Sequence, residues 1–165
     1  AINTRKLVLF TGSSSIRMWR DLQTDFPKRN ILNRGFGGSE MSDLLHYVNQ
    51  LVLKYKPKKI FIYEGDNDIN SGKSAEEILQ SAEDLLARIR QQLPKRVTVI
   101  FISPKPSLVR KHLKEKYEDY NQKLKEWCSK QKRVQFADVW TPMLNSQGEV
   151  MPELFIEDGL HMNRK

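Results

Sequence analysis

The chain has 165 residues, 39% hydrophobic and 29% charged, enough for one domain whose core needs neither disulfide nor metal. Its formal charge is +8, yet the basic residues lie in short clusters (Lys54, Lys56, Lys58 and Lys59 form one) or beside Glu115, Glu118 and Asp119, with no basic-aromatic motif, so no nucleic-acid partner is expected. No apolar run approaches the ~20 residues of a membrane span, so no transmembrane segment is expected, residues 1–6 hold no signal-peptide core, and the lone Cys128 excludes an internal disulfide. Composition leaves the oligomeric state open. It also leaves the compartment open between cytoplasm and, if a leader has been removed, periplasm or exterior.

The first predicted strand covers residues 7–10 and runs into Thr11-Gly12-Ser13-Ser14-Ser15-Ile16. Serines at a strand-to-helix turn suit helix capping, and they can equally present a hydroxyl at the top of a sheet. A second strand at 31–32 leads into Asn33-Arg34-Gly35-Phe36-Gly37-Gly38-Ser39, where three glycines in four positions signal positive φ or close approach of the backbone. Their spacing is not that of a dinucleotide fingerprint. Leu44, Leu45, Val48, Leu51, Val52 and Tyr55 then form a helical stripe ended by Pro57.

The third strand, at 60–63, opens on Glu64-Gly65-Asp66-Asn67-Asp68-Ile69-Asn70. Asp66, Asp68, Asn70 and Glu77 fall in an EF-hand register, but Ser71 holds the position that requires glycine and a strand precedes the loop, so no metal is expected. Ser74 and Glu77 predict a capping box before the stripe Ile78, Ala82, Leu85, Leu86, Ile89 and Leu93. A fourth strand at 97–102 is followed by Ser103-Pro104-Lys105-Pro106-Ser107. A third helix carries Leu113, Tyr117, Tyr120, Leu124 and Trp127, and a fifth strand is expected at 134–137. Near the end, Asp158 and His161 stand three apart, close enough on one turn for the carboxylate to hold the imidazole Nδ1.

Strand-helix alternation predicts an α/β fold, a three-layer α/β/α domain around a flavodoxin-like five-stranded parallel sheet of order 2-1-3-4-5. Ligands of such sheets bind beyond the carboxyl ends of the strands, where the serine, glycine and Asn67 segments fall.

Taken together, these segments resemble the SGNH (GDSL-like lipase/acylhydrolase) family. Val8-Leu9-Phe10-Thr11-Gly12-Ser13-Ser14 is similar to its Gly-Asp-Ser block, with Ser13 where the family has aspartate. Asn33-Arg34-Gly35-Phe36-Gly37-Gly38 resembles the second block, Gly65-Asp66-Asn67-Asp68 the Gly-x-Asn-Asp block and Asp158-Gly159-Leu160-His161 the Asp-x-x-His block. The resemblance implies a catalytic triad of Ser14, Asp158 and His161. It also implies an oxyanion hole made from the backbone N–H groups of Ser14 and Gly38 and the amide of Asn67. Lys105 and Arg110, beyond the fourth strand, are candidate substrate-binding cations. No cofactor is implied, and the expected partner is a small-molecule ester. The expectation is therefore a serine hydrolase of carboxylic esters or thioesters working through an acyl-enzyme; the alternative is a carbohydrate- or acyl-binding domain that keeps the fold without turnover. Members of the family continue past the histidine block into a helix, whereas this sequence stops at Arg164-Lys165, so the expectation is a single domain over 1–165 without that helix.

Overall fold

The computed structural model describes residues 5–164; the readings that touch residues 1–4 and 165 lie outside the described residues. Five strands, β1 (Leu7–Gly12), β2 (Asn30–Gly35), β3 (Lys59–Tyr63), β4 (Thr98–Ile102) and β5 (Val134–Ala137), form one parallel sheet. Their order is β2-β1-β3-β4-β5, the flavodoxin-like order the sequence predicts. Gly12 lies opposite Gly35 and Tyr63, and Tyr63 lies opposite Ile102, so four strands end at one level. That level is where the chemistry collects.

The helices are α1 (Ser14–Arg17), α2 (Leu22–Asp25), α3 (Met41–His46), α4 (Val48–Leu51), α5 (Asp66–Asn70), α6 (Ala75–Gln92) and α7 (Lys114–Ser129). Alternate residues of each strand point to opposite faces. Leu7, Leu9, Ile60, Ile62, Val99 and Phe101 share a core with Leu44 of α3, Ile78, Leu85 and Ile89 of α6, and Tyr117, Tyr120 and Leu124 of α7. Phe10, Tyr63 and Ile102 face the other way, against Ile16 of α1 and Leu22 of α2. Phe10 stacks on Phe61 with ring centroids 4.4 Å apart, and Trp19 meets Phe10 edge-on. Both faces are thus covered, one by long helices and one by short ones.

The capping box of α6 is present: Glu77 N–H donates to Ser74 Oγ at 3.1 Å and Ser74 N–H to Glu77 Oε1 at 3.3 Å. The stripe from Leu44 to Tyr55 is not one helix but α3, α4 and a 3₁₀ turn at Leu53–Tyr55. Tyr47 and Val52 leave the helical region, at φ −102° and −128°. β-Branched Val48 and Val52, with Asn49 between them, give this stretch a weak helical preference, while Val48, Val52, Leu53 and Tyr55 are all buried. Burial sets the path here and propensity does not oppose it.

Candidate active site

Gly12 ends β1 at φ +135°, and a Cβ there would sit 2.0 Å from the Tyr63 carbonyl oxygen, so no other residue fits without moving β3. Ser13 N–H donates to that same oxygen at 3.1 Å, after which the chain turns into α1 with Ser14 as its first residue. Ser13 holds the N-cap position but makes no side-chain capping bond, and it is buried. Ser14 Oγ instead lies 2.5 Å from Nε2 of His161.

His161 reaches that point on a tight turn, not a helix. Ile156 N–H donates to the His161 carbonyl at 2.9 Å, and Gly159, at φ +64°, makes the reversal between them. Asp158 Oδ1 accepts the N–H groups of Leu160 and His161 at 2.8 and 2.9 Å, while Oδ2 is 2.6 Å from Nδ1 of His161. Desolvation pulls the Asp158 carboxyl upward, but the hydrogen bond from His161 and the two backbone N–H groups outweigh it and bring it down to about 2. An ionised Asp158 on Nδ1 assigns the ring proton to that nitrogen and leaves the Nε2 lone pair toward Ser14.

Asn67 stands in α5, entered through Gly65 at φ +120°, where a Cβ would meet the Tyr120 ring at 2.7 Å. Its Nδ2 donates to the Ser39 carbonyl at 2.9 Å, and its Oδ1 accepts from Arg110 Nη2 at 3.1 Å. An acceptor on one side and a cationic donor on the other leave the amide one orientation. Ser39 ends the glycine segment, so Asn67 is tied to the loop that carries Gly38. That loop reaches Ser14, since a Cβ on Gly37 would lie 4.0 Å from the Ser14 Cβ. Gly38 has φ +75°, and among the described residues the N–H groups of Ser14 and Gly38 donate to no backbone acceptor.

The residues that sequence reading missed lie beneath Asn67. Asp66 is buried and accepts from Arg110 Nη1 at 2.7 Å, from the Tyr63 hydroxyl at 2.9 Å and from the Tyr117 hydroxyl. Lys105 Nζ stands 3.4 Å from the same carboxylate. Burial would raise the Asp66 carboxyl, but the Lys105 charge, the Tyr117 hydroxyl and Arg110 hold it below the ordinary carboxylate range. Lys105, a candidate substrate-binding cation from the sequence, is 1% exposed and faces inward, whereas Arg110 bridges Asp66 and Asn67 and still reaches the surface. Asp68 Oδ1 and Oδ2 hold the N–H groups of Gly65 and Met41 at 3.1 and 3.0 Å. Asp66 and Asp68 of the EF-hand register are therefore engaged within the fold on α5, and Glu77 is in the capping box of α6. Ser39 Oγ donates to buried Glu64 at 2.5 Å, and burial pushes the Glu64 carboxyl far up.

His46 and His112 are exposed and belong to none of this. Among the described residues no helix is long and apolar enough to cross a membrane, and no group of three or more His, Cys, Asp or Glu side chains is placed to hold a metal ion.

Comparison with known proteins bears on the fold and the family. Among solved structures, the chain is similar to a Streptococcus pneumonia protein provisionally described as a platelet activating factor, with 24% identity over 94% of this chain and 76% of that one and a TM-score of 0.84. It is similar to a GDSL-like lipase from Bacteroides thetaiotaomicron, with 20% identity over 99% and 84% of the two chains and a TM-score of 0.81. It is also similar to an acetyl-xylooligosaccharide esterase from Geobacillus Stearmophilus, with 16% identity over 98% and 89% and a TM-score of 0.77. Among curated proteins none matches the sequence. At these identities the solved structures speak for the fold. The sequence profile of the GDSL-like Lipase/Acylhydrolase family matches residues 10–165, and the chain belongs to that family of ester hydrolases.

Proposed function

We propose that the protein is a serine hydrolase of small carboxylic esters or thioesters, with Ser14 as nucleophile, His161 as general base and Asp158 as the group that orients His161. The observation that carries this reading is the continuous relay from Ser14 Oγ to His161 Nε2 at 2.5 Å and from His161 Nδ1 to Asp158 Oδ2 at 2.6 Å.

In the first half-reaction the Ser14 proton passes to His161 Nε2 as Oγ attacks the carbonyl carbon. Negative charge moves onto the carbonyl oxygen. The N–H groups of Ser14 and Gly38 and the second N–H of the Asn67 amide meet it, each such donor contributing about 3 kcal/mol in comparable sites. Asp158, ionised well below neutrality, stabilises the imidazolium. The tetrahedral adduct collapses as Nε2–H protonates the leaving alcohol or thiol, leaving acyl-Ser14. Water then gives its proton to Nε2 and attacks the acyl carbon, and Ser14 Oγ leaves with that proton. Arg110 on Asn67 Oδ1 fixes which end of the amide faces the oxyanion. Because a solved relative is an esterase of acetylated xylo-oligosaccharides, short acyl groups are the first to try.

The test is a fluorophosphonate label followed by peptide mass analysis, beside hydrolysis of 4-nitrophenyl acetate. The label is expected on Ser14, and Ser14→Ala is expected to lower kcat by about 10⁴-fold while Ser13→Ala and Ser15→Ala stay active. Label on a neighbouring serine, or full activity in Ser14→Ala, overturns the assignment.

A further inference from the structure

A cavity of about 430 Å³ lies beside the proposed triad turn and is not lined by Ser14 or His161. Its floor is the segment after β4, and Leu108 and Val109 of that segment donate their N–H groups to the Gly159 carbonyl at 2.9 and 3.2 Å. The cavity therefore shares a wall with the turn that holds Asp158 and His161.

Its lining has a definite chemistry. Arg110, Lys111 and Lys114 bring three cations against the single carboxylate of Glu149. Trp140, Leu144 and Val150 supply apolar surface between them. Lys114 Nζ reaches the Gly148 carbonyl at 3.3 Å, and Lys111 and Lys114 are exposed. Arg110 is deeper, its side chain 12% exposed. Of the five N–H donors of a guanidinium, one is spent on Asp66 and one on Asn67. Ser107 also lines the cavity; it is 3% exposed and its Oγ has no hydrogen-bond partner in the protein. A buried hydroxyl without a partner is rare unless something else satisfies it.

Arg110 also sets the distance to the reacting bond. Its Nη2 is 3.1 Å from Asn67 Oδ1, and the other end of that amide is the proposed oxyanion donor. One amide width and two hydrogen-bond lengths put the guanidinium about 6–8 Å from the carbonyl under attack. A group four or five bonds from an ester spans that gap.

We infer that this cavity binds an anionic group, carboxylate or phosphate, carried on an otherwise apolar part of the ester substrate, with Arg110 as its inner contact and Lys111 and Lys114 at its mouth. The inference rests on the hydrolase reading above and adds the substrate class to it. An anion here meets a partly desolvated guanidinium, where a charge-assisted hydrogen bond outweighs an exposed ion pair.

The experiment compares matched esters. On the alcohol side the pair is 4-carboxyphenyl acetate and its neutral methyl ester, 4-(methoxycarbonyl)phenyl acetate. On the acyl side it is 4-nitrophenyl hydrogen adipate and 4-nitrophenyl hexanoate. One anionic member is expected to have a kcat/KM about 10-fold above its neutral partner at low salt, in line with a charged hydrogen bond, and the arm in which this occurs identifies the side that enters the cavity. In Lys111→Gln/Lys114→Gln the anionic-to-neutral ratio is expected to fall about fivefold, and 0.5 M NaCl should lower it in the wild type. Lys28→Gln/Lys95→Gln, which removes two exposed cations outside the cavity lining, controls for net charge and should keep the ratio. An anionic preference absent from both arms, or one that persists in the double variant, overturns the cavity proposal while Ser14-dependent hydrolysis of the neutral esters stands. If the neutral esters are not hydrolysed in a Ser14-dependent way, the hydrolase reading itself has failed.

Discussion

The two sides of the candidate site are held in opposite ways. On the triad side, Asp158 is 44% exposed along its side chain, and its partners are His161 and two backbone N–H groups within three residues. On the Asn67 side, Asp66 is nearly buried and binds residues 39 to 51 positions away in the chain. One side is a local turn that the solvent still touches. The other is a buried ionic knot that orders β3, α5, α7 and the segment after β4 together. On the proposed roles this is a division of labour: the Asp158–His161 turn would supply chemistry at little structural cost, whereas the floor under Asn67 would hold both the proposed oxyanion donor and the fold.

The largest expected effect separates chemistry from stability outright. Asp158→Asn should lower kcat by roughly 10⁴-fold, because the amide favours the wrong imidazole tautomer. Its melting temperature should stay close to wild type, since the group is substantially exposed and screened. A large fall in melting temperature would show that the turn carries structure as well.

Asp66→Ala should do the reverse in kind. Removing the carboxylate leaves Lys105 and Arg110 without their shared counter-ion, and breaking a buried pair costs about 3–5 kcal/mol. Urea denaturation is the measurement. A loss under 1 kcal/mol would mean that the knot adds little to the fold.

The two sides meet at Asn67, where a double-mutant cycle is informative. Asn67→Ala should cost about 10²–10³ in kcat with the fold intact. Arg110→Lys keeps the charge near Asp66 but loses the planar fork, and should cost about 10-fold in kcat. In the Asn67→Ala background the Arg110→Lys loss should vanish. Independent, multiplying losses would separate Arg110 from the oxyanion donor.

The last effect concerns pH. Burial raises the Asp68 carboxyl to about 6, against the opposing bond from Met41 N–H. The folded state therefore binds this proton more tightly than the unfolded chain, and the Asp68 contribution to stability falls as pH rises from about 4 through 6, by at most about 3 kcal/mol. Asp66 and Asp158, shifted the other way, are ionised in both states above about pH 5 and are flat from there upward, and they are common to wild type and an Asp68 variant. Asp68→Asn should thus gain on wild type as pH rises from 4 to 7. A stability difference that does not change with pH would remove Asp68 as a titrating group.

Much of this was legible in the sequence, for identifiable reasons. Continuous apolar runs marked the strands because both sheet faces are covered, and right-handed crossovers left few orders for five of them. Ser14, Asn67 and the Asp158–His161 pair stood beside strand ends or within one turn, and their proposed roles came from the family resemblance those segments carry. What sequence reading could not supply was the direction of long side chains. Lys105 and Arg110 look alike in a loop after β4, yet one turns inward and the other bridges to the surface, because their partner Asp66 is brought to them only by the sheet. The pairing of Asp66 with Tyr63 is three residues apart and was readable; its bonds to Tyr117 and Arg110 were not. The break of the Leu44–Tyr55 stripe was likewise hidden, since each piece keeps an apolar face that fits one helix.

The hydrogen bond from Ser14 to His161 closes 147 residues of chain. Residues 155–164 carry no helix or extended strand; what ties them to the rest includes an isolated bridge between Phe155 and Met162, Asn163 on the Leu154 and Glu153 carbonyls at 2.8 and 2.6 Å, the Gly159 carbonyl under Leu108 and Val109, and Arg164 on Asp25 at 2.9 Å. A segment held outside any helix or sheet ladder is expected to open at a fraction of the cost of global unfolding. Amide exchange in residues 155–164 should run ahead of the sheet, and on warming the rate should fade while the far-ultraviolet signal of the sheet is still intact. During refolding the closure is a long-range step that local helix and strand formation do not reward until the end, so recovered activity should trail recovered secondary structure. On the proposed triad, activity would then report the last folding event, since turnover would begin only when the final turn has docked.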